Sequence, residues 1–321
     1  MNRSTRENTI RIPLRLQRGD TIGVISPAGA LNAERRERLQ RGLAYLRQQG
    51  FHIQEGQSLR EQHGYLAGTD EQRALDINAM FANPEIKAIF CTRGGYGITR
   101  LLDRIDYDSV RESPKILLGY SDITALQMAL FAKTGLITFS GPMVAIEMGE
   151  PLPEPTHREL WNLLMQPREH VFAAQLNNQS FHTYISGRAK GRLLGGCLSV
   201  LVSLLGTSYL PDMTHALLLL EDIGEDLYKI DRYLSQLKHA GVLQRIAGVV
   251  LGQFVNIHPD ENHNPVEFND LISYYLTPLQ IPVIGNFPYG HVPLKYTLPL
   301  GCRVQLDTEA GSLQLLEAGV L

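Results

Sequence analysis

Cysteine, tryptophan and long apolar runs are scarce in this sequence, and each shortage excludes a class of protein. The 321 residues include only three cysteines and one tryptophan. Cys91, Cys197 and Cys302 are odd in number and far apart, which argues against a disulfide framework and favours a reducing compartment. No stretch approaches the roughly 18 apolar residues of a membrane helix. The sequence therefore predicts neither a disulfide-stapled secreted domain nor a membrane-spanning protein.

An excess of positive charge is also missing. There are 30 Lys and Arg residues against 33 Asp and Glu residues, for a formal net charge of −3. A dedicated nucleic-acid-binding protein normally has a strong basic excess, so we expect no nucleic-acid partner. Met1–Gly19 is rich in Arg and Asn and has no apolar core, which argues against a secretory signal peptide. We expect a cytoplasmic protein with no membrane partner.

Apolar segments that alternate with helical patterns dominate the first half of the chain. Thr21–Ser26, Ala88–Cys91 and Ile116–Gly119 read as buried strands, and Ala33–Gln49 reads as an amphipathic helix. Strands that alternate with helices in this way predict a mainly parallel sheet covered on both faces.

A further helix is expected from Asp70 to Phe81. Asp70 is the candidate cap of this helix. Leu75, Ile77 and Phe81 are expected to face the core.

A proline-rich segment, Pro151–Pro155, interrupts the pattern and marks a domain boundary. After it, Ala216–Leu220 and Ile246–Leu251 read as buried strands, Leu227–Ala240 as a helix, and the C-terminus as a β-hairpin. Chain length alone favours two domains. We expect an N-terminal domain over residues 1–150, a linker over 151–185 and a C-terminal domain over 186–321.

The segment Gly119-Tyr120-Ser121-Asp122 places a serine where a strand turns sharply into a helix. Such a turn exposes the hydroxyl at the carboxyl edge of a sheet, which is the geometry of a nucleophile elbow. Ile123 stands where the G-x-S-x-G pattern has its second glycine. Ser and Asp are also the commonest helix N-caps, so the pattern alone favours a cap and leaves a nucleophile as the alternative.

The segment Arg93-Gly94-Gly95-Tyr96-Gly97 is a second candidate. Glycines allow a backbone to approach a ligand closely and to aim N–H groups at an anion. The segment lacks the Lys-Ser/Thr of a P-loop, so a nucleotide site is not indicated. A tight turn before a helix explains the same glycines.

Two further side chains follow predicted strands. Glu221 ends an apolar strand, where a carboxylate can orient a histidine. Asp222, Glu225 and Asp226 precede the next predicted helix, and their negative charges complement the dipole of that helix. His291 follows a strand, a proline and a glycine.

Other potentially reactive groups suggest no chemistry. The stretch from Ile257 to His263 has metal-capable groups but no regular ligand spacing, and it reads as a solvated loop. Cys91 and Cys302 have no local catalytic signature and read as buried thiols.

Taken together, these segments resemble the LD-carboxypeptidase family, which includes cytoplasmic muramoyltetrapeptide carboxypeptidases and microcin C self-immunity peptidases. The blocks come in the family's order and span most of the chain. They are Ser26-Pro27-Ala28-Gly29, Arg93-Gly94-Gly95-Tyr96-Gly97, Gly119-Tyr120-Ser121-Asp122, Phe139-Ser140-Gly141-Pro142-Met143, Gly195-Gly196, Leu220-Glu221-Asp222, Gly290-His291 and Leu298-Pro299-Leu300-Gly301. One departure is Cys197, which stands where the family often has Asn.

The resemblance implies a catalytic triad of Ser121, Glu221 and His291. It also implies the fold: an N-terminal doubly wound parallel sheet like that of class I glutamine amidotransferases, and a C-terminal swivelling β/α domain. The site is then expected in the cleft between the domains.

Oxyanion and substrate contacts are expected from the backbone N–H of Asp122, from Gly94 or Gly95, and from the Arg93 side chain. No metal and no cofactor are expected.

The substrate implied by the resemblance is a murein tetrapeptide that loses its terminal D-Ala during cell-wall recycling, and a homodimer is expected. One alternative is a peptidase of the same family that cleaves an aminoacyl-nucleotide antibiotic. That rival should carry aromatic side chains near the cleft to stack a nucleobase, whereas Trp161 lies in the expected linker. A second alternative is a non-catalytic module that uses the glycine-rich loop to bind an anion.

Overall fold

The first sheet is built from buried strands that alternate with helices, as the sequence pattern predicts. The computed structural model describes residues 9–174, 176, 181–258 and 267–321. The elements of the first part are β1 (Thr21–Ile25), α1 (Ala33–Gln48), β2 (His52–Glu55), α2 (Asp70–Ala82), β3 (Ile86–Cys91), α3 (Tyr107–Glu112), β4 (Ile116–Leu118), α4 (Ile123–Thr134) and β5 (Thr138–Ser140).

The strand order of this sheet fixes where a ligand site belongs. The order is β12-β5-β4-β3-β1-β2, with β1 to β5 parallel and β12 antiparallel at the edge. The chain passes from β1 outward to β2 and then returns to β3 on the other side of β1. In open α/β sheets, ligands bind beyond the carboxyl ends of the strands at such a reversal. The segments after β1, β3 and β4 meet at this crevice.

The second part contains a larger mixed sheet. Its elements are α5 (Glu154–Met165), β6 (Val171–Ala173), β7 (His182–Ile185), β8 (Arg188–Cys197), α6 (Leu198–Ser203), β9 (Leu217–Ile223), α7 (Leu227–His239), β10 (Gly248–Val255), α8 (Phe268–Leu276), β11 (Val283–Gly285), β12 (Leu298–Leu300), β13 (Arg303–Asp307) and β14 (Ser312–Leu315). The sheet order is β6-β14-β13-β8-β9-β10-β11-β7, and β8 to β11 are parallel.

The expected fold of two α/β parts is confirmed, and β12 connects them. This strand lies in the part of the sequence assigned to the C-terminal domain, yet it pairs with β5 of the first sheet, with Leu298 opposite Ser140. Helix α5 and strands β6 and β7 lie within the expected linker of residues 151–185, and β6 and β7 are edge strands of the second sheet, whereas β12 joins the first sheet. Within the described residues, no helix combines the length and apolar character that a membrane span requires.

Helix α2 differs in two details from the sequence-based expectation. Thr69, not Asp70, is the N-cap, because its hydroxyl accepts from the Gln72 amide and the Gln72 side chain bonds back to the Thr69 amide. Leu75 was expected to face the core, but it is 59% exposed. Ile77 and Phe81 are buried as expected, and the buried stripe continues through Ala74 rather than the adjacent Leu75.

Candidate active site

Ser121 lies on a strained turn between β4 and α4. Its φ is +64°, a left-handed conformation that is uncommon for a residue with a Cβ. Strain of this kind persists where the surrounding structure enforces it, often at functional sites. Among the described residues, no side chain caps the N-terminus of α4, so the side-chain capping interpretation of this motif is wrong. The turn has the geometry of a nucleophile elbow, with Ser121 half-buried at the sheet edge.

Asp122 uses its side chain to hold the neighbouring loop rather than to cap its own helix. Its Oδ2 accepts a hydrogen bond of 3.0 Å from the Ile98 amide, beyond the glycine-rich segment. Burial raises the pKa of Asp122 to about 6, although the Ile98 hydrogen bond and the Arg73 charge oppose that rise. Within the described part of the chain, the Asp122 amide itself donates to no other group. This amide is therefore free to bind a ligand atom beside Ser121.

The glycine-rich segment after β3 packs directly on the serine turn. A Cβ added at Gly94 would lie 2.7 Å from the Ser121 Cβ and 2.8 Å from its Oγ, and 3.2 Å from the Asp122 nitrogen. Gly95 has a φ of +126° and lies against the backbone of Gly29, whose amide donates to the Gly94 carbonyl. Only a residue without a side chain fits at Gly94, so its backbone adjoins the serine hydroxyl.

Two arginines stand beside this segment in different environments. The guanidinium of Arg73 is fully buried and donates to the carbonyls of Pro27 (2.7 Å) and Gly97 (3.2 Å), so it braces the loops that follow β1 and β3. Arg93 is half-buried and donates 2.8 Å from Nη1 to the Ala30 carbonyl. Among the residues described, no carboxylate lies within ion-pair distance of Arg93. Nε and Nη2 of Arg93 have no hydrogen-bond partner within the described part of the chain.

Glu221 and His291 form a pair at the carboxyl edge of the second sheet. Glu221 is fully buried on β9, and His291 lies in the segment between β11 and β12. His291 Nδ1 is 2.7 Å from Glu221 Oε2. A carboxylate accepts hydrogen bonds, so Nδ1 carries the proton and Nε2 is left as an acceptor. Gly290, with a φ of +118°, makes this approach possible, because a Cβ there would lie 2.9 Å from Glu221 Oε2.

Tyr120 connects the two halves of the site. It directly precedes Ser121, and its ring packs edge-on against His291 with centroids 4.9 Å apart. A cavity of about 410 Å³ opens beside these two rings. The lining residues from the first part include Arg38, Ile146, Glu147 and Leu152, and those from the second include Ile223, His291 and Val292. Of the sequence-predicted triad, His291 lines this cavity, Glu221 is hydrogen-bonded to His291, and Ser121 is the chain neighbour of Tyr120.

Sequence reasoning missed two polar residues here: Glu147, which lines the cavity, and the buried Lys295, which contacts Glu147 and the Tyr120 ring. Lys295 Nζ lies 2.6 Å from Glu147 Oε1, and the Tyr120 hydroxyl donates to the same oxygen. Glu147 and Lys295 are 148 positions apart and follow no regular pattern, so no local signal marks them. Tyr120 was visible in the Gly119–Asp122 motif, but its contacts were not.

Cys197 lies opposite Glu221 in the pairing of β8 with β9. Its thiol is buried, and burial, followed by the charges of Glu221 and Asp222, raises its pKa well above the ordinary value. Cys91 and Cys302 are free thiols, buried as the sequence predicted, and burial raises the pKa of each.

Only the beginning of the stretch read as a solvated loop can be assessed. Ile257 is half-buried and His258 is exposed, and the His258 amide donates to the Glu225 carbonyl. Residues 259–263 lie outside the described residues.

The chain is similar to known proteins over most of its length. Family models for the LD-carboxypeptidase N-terminal and C-terminal domains match residues 22–141 and 190–306. The Bacillus subtilis protein named "Probable murein peptide carboxypeptidase" is 36% identical over 308 residues, which cover 96% of this chain and 95% of that protein.

Two solved structures are similar over nearly the whole chain. A structure of the microcin C7 self-immunity protein, known from Escherichia coli, has a TM-score of 0.90 and 28% identity and covers 97% of this chain and 100% of that one. The muramoyltetrapeptide carboxypeptidase of Oxalobacter formigenes has a TM-score of 0.80 and 32% identity, with 92% and 97% covered. This chain thus belongs to the LD-carboxypeptidase family of serine peptidases.

Proposed function

We propose that this protein is a serine LD-carboxypeptidase that removes the terminal D-Ala from murein tetrapeptides. Ser121 is the nucleophile, His291 the general base and Glu221 the residue that orients the imidazole. One observation carries the proposal. The ring of Tyr120, the residue before the positive-φ Ser121, packs on His291, which is hydrogen-bonded to Glu221.

Attack by the serine needs a base because a hydroxyl is a poor nucleophile at neutral pH. In the proposed reaction, His291 Nε2 takes the Ser121 proton while Oγ bonds to the scissile carbonyl carbon. The same proton then passes to the amine of the leaving D-Ala as the C–N bond breaks. Water releases the acyl group from Ser121 in the second half-reaction. Glu221 fixes the tautomer of His291 and stabilises its cation.

The oxyanion that forms on the carbonyl oxygen needs preorganised donors. The amide of Asp122 at the start of α4 is one candidate, and that of Gly94 or Gly95 is the other. The assignment of these two donors is supported by the close contact between Gly94 and the Ser121–Asp122 turn. Loss of one such donor typically costs about 3 kcal/mol of barrier, roughly 10²-fold or more in rate. Arg93 is proposed to pair with a substrate carboxylate, because its planar guanidinium suits that geometry.

The substrate assignment is supported by the relatives named as murein peptide and muramoyltetrapeptide carboxypeptidases. We place the enzyme in the cytoplasm in wall-peptide recycling, since its cysteines are free thiols, the state that a reducing compartment maintains. The expected homodimer stays a prediction, which sedimentation analysis of the purified protein would check.

Cleavage of an aminoacyl-nucleotide is the second candidate. The structure of the microcin C7 self-immunity protein has the higher TM-score of the two compared. In this chain, the exposed rings of Tyr65 and Tyr96 lie 5.8 Å apart, and Tyr96 adjoins the glycine-rich loop, so they offer a stacking surface. Trp161 offers none, because it is buried and stacked on Phe51.

The deciding experiment follows release of free D-Ala from disaccharide tetrapeptide, with disaccharide pentapeptide and an aminoacyl sulfamoyl adenosine as parallel substrates. We expect D-Ala release from the tetrapeptide alone. Ser121→Ala should lower the rate by at least about 10³-fold. Ser203→Ala, at an exposed serine on α6, is the matched control and should retain full activity.

The outcomes separate the candidates. Preferential cleavage of the sulfamoyl adenosine would replace the murein assignment with the second candidate. Ligand binding without turnover, unchanged in Ser121→Ala, would indicate a non-catalytic module. Activity that survives Ser121→Ala would refute the serine mechanism.

A further inference from the structure

A buried lysine, Lys295, lies at the centre of a polar cluster that the reaction scheme does not use. Its side chain is fully buried, and Nζ lies 2.6 Å from Glu147 Oε1 and 3.7 Å from the centroid of the Tyr120 ring. The Tyr120 hydroxyl donates to Glu147 Oε1 at 2.6 Å, and the Met143 amide donates to Oε2 at 3.0 Å. We call Lys295, Glu147 and Tyr120 the Lys295 cluster.

Stability is a poor reason for such a cluster. Removing two charges from water is costly, and a well-packed apolar pair of similar volume is often as stable as a buried ion pair. Burial alone would raise the pKa of Glu147, yet the Lys295 charge and three hydrogen bonds hold it below the ordinary value. The carboxylate is therefore fully partnered. A polar cluster whose hydrogen bonds are all made fixes the positions of its side chains, which apolar packing does less strictly.

The cluster joins the segment that carries His291 to the turn that carries Ser121. Lys295 lies four residues after His291, in the stretch that leads from β11 to β12. Tyr120 lies one residue before Ser121 at the end of β4. One Tyr120 ring thus contacts both the Lys295 ammonium and the His291 imidazole, at 3.7 and 4.9 Å.

A second anchor fixes the same stretch from the other side. The Thr156 hydroxyl, in the first turn of α5, accepts from the Lys295 amide at 3.0 Å and donates to the Pro293 carbonyl at 3.2 Å. The backbone on the C-terminal side of His291 is thereby held on α5, while the Lys295 side chain is held on Glu147.

We propose that Lys295 and Glu147 are positioning residues, which set the distance between the Ser121 hydroxyl and the His291 ring across the two sheets. Neither residue touches the reacting atoms in this role, because both act through Tyr120 and through the His291 segment. The inference rests on the proposed Ser121–His291 pair, but not on the murein assignment.

The test measures the reactivity of Ser121 without any peptide substrate. A small fluorophosphonate phosphonylates an active serine: the Ser121 oxygen bonds to phosphorus, fluoride leaves and His291 takes the proton. The main variant is the double substitution Glu147→Gln/Lys295→Met, which leaves no charge buried; the new amide oxygen can accept from the Met143 amide while its NH2 group donates to the Tyr120 hydroxyl oxygen. We expect its labelling rate to fall about 10- to 100-fold, because a misplacement of about 1 Å has that effect. On peptide substrate, kcat should fall while KM stays within about threefold.

Matched controls separate positioning from folding. Lys115→Met removes another buried lysine, which donates to the Met80 and Asn83 carbonyls away from the cleft. It should lower thermal stability and leave the labelling rate of the folded protein within about twofold of wild type. Tyr120→Phe keeps the ring against His291 and removes only its bond to Glu147, so its rate should fall between wild type and the double variant.

Each result decides the inference. Labelling of the double variant at the wild-type rate would leave the triad intact and overturn the positioning role. Should the double variant fail to fold, Tyr120→Phe decides alone: a wild-type rate there overturns the proposal. A wild-type protein that the probe does not label would refute the proposed Ser121–His291 pair, and the inference with it.

Discussion

At the scale of the residue, Gly94 shows how little freedom the site allows. A methyl group in place of its hydrogen would lie within 2.8 Å of both Cβ and Oγ of Ser121, closer than such atoms approach. We expect Gly94→Ala to reduce kcat/KM by about 10²-fold or more, because either the serine or the oxyanion-binding backbone must move. Steady-state kinetics on the tetrapeptide, with fluorophosphonate labelling, measures the loss.

Gly64 is the matched control for that substitution. It has a φ of +61° and open space around its Cβ position, so Gly64→Ala adds backbone strain without a contact. This variant should lose about 1 kcal/mol of stability and no activity. Gly94→Ala with wild-type kinetics would mean that the Gly94 backbone does not approach the reacting atoms.

Single residues were predictable from sequence where a local pattern marks their environment. Ser121 at a strand-to-helix turn and Glu221 at a strand end were found as candidates, and the positive φ of Ser121 separates the elbow from the cap. Lys295 and Glu147 could not be found. They are 148 positions apart, and a buried ion pair forms only in the folded structure.

At the scale of the element, one carboxylate joins α4 to the loop that follows β3. Asp122 accepts from the Ile98 amide and lies buried near the Arg73 charge. Since burial raises the pKa of Asp122 to about 6, the native state binds this proton more tightly than the unfolded chain does. Its contribution to stability is therefore largest below about pH 4 and is lost as the pH rises through about 6.

We expect Asp122→Asn to remove this loss of stability at high pH while keeping an acceptor for the Ile98 amide. Its free energy of unfolding should exceed that of wild type by roughly 1–3 kcal/mol at pH 8, and the difference should vanish toward pH 4. Urea unfolding at a series of pH values measures it. Asp122→Ala, which has no acceptor, is the control and should be destabilised across the range. A constant difference between wild type and Asp122→Asn from pH 4 to pH 8 would contradict the raised pKa.

Sequence patterns predicted those elements that have enough buried residues to show a helical or strand periodicity of apolar side chains. Strands β1, β3 and β9 and helices α1 and α7 lie within a few residues of their expected limits. The edge strands β6 and β7 and strand β12 were missed. Strand β12 has three residues with Pro299 at its centre, and proline is tolerated only where a strand makes few ladder bonds. Its partner β5 is far away in sequence, so only the tertiary fold reveals it.

At the scale of the whole molecule, the chain places its proposed nucleophile and base on different sheets and then ties the sheets together. Strand β12 adds to the first sheet, the Lys295 cluster spans the cleft, and the Tyr289 and Ser140 hydroxyls are hydrogen-bonded at 2.8 Å in the buried interface. Connections of this kind make a shared core, and parts that share a core unfold together.

We therefore expect one calorimetric transition for the whole chain, and a single shift of that transition when the interface is weakened. Tyr289→Phe removes the hydroxyl and leaves Ser140 Oγ buried without its partner, at a cost of about 1–2 kcal/mol. For a chain of this length, that cost lowers Tm by about 1–3 °C. Tyr274→Phe, at a tyrosine 66% exposed on α8, is the control and should leave Tm unchanged. Two resolved transitions, or a shift confined to one of them, would show that the sheets unfold independently and that contacts across the cleft stabilise neither. A single transition whose Tm shifts as a whole would mean instead that the contacts that align Ser121 with His291 are lost only when the entire chain unfolds.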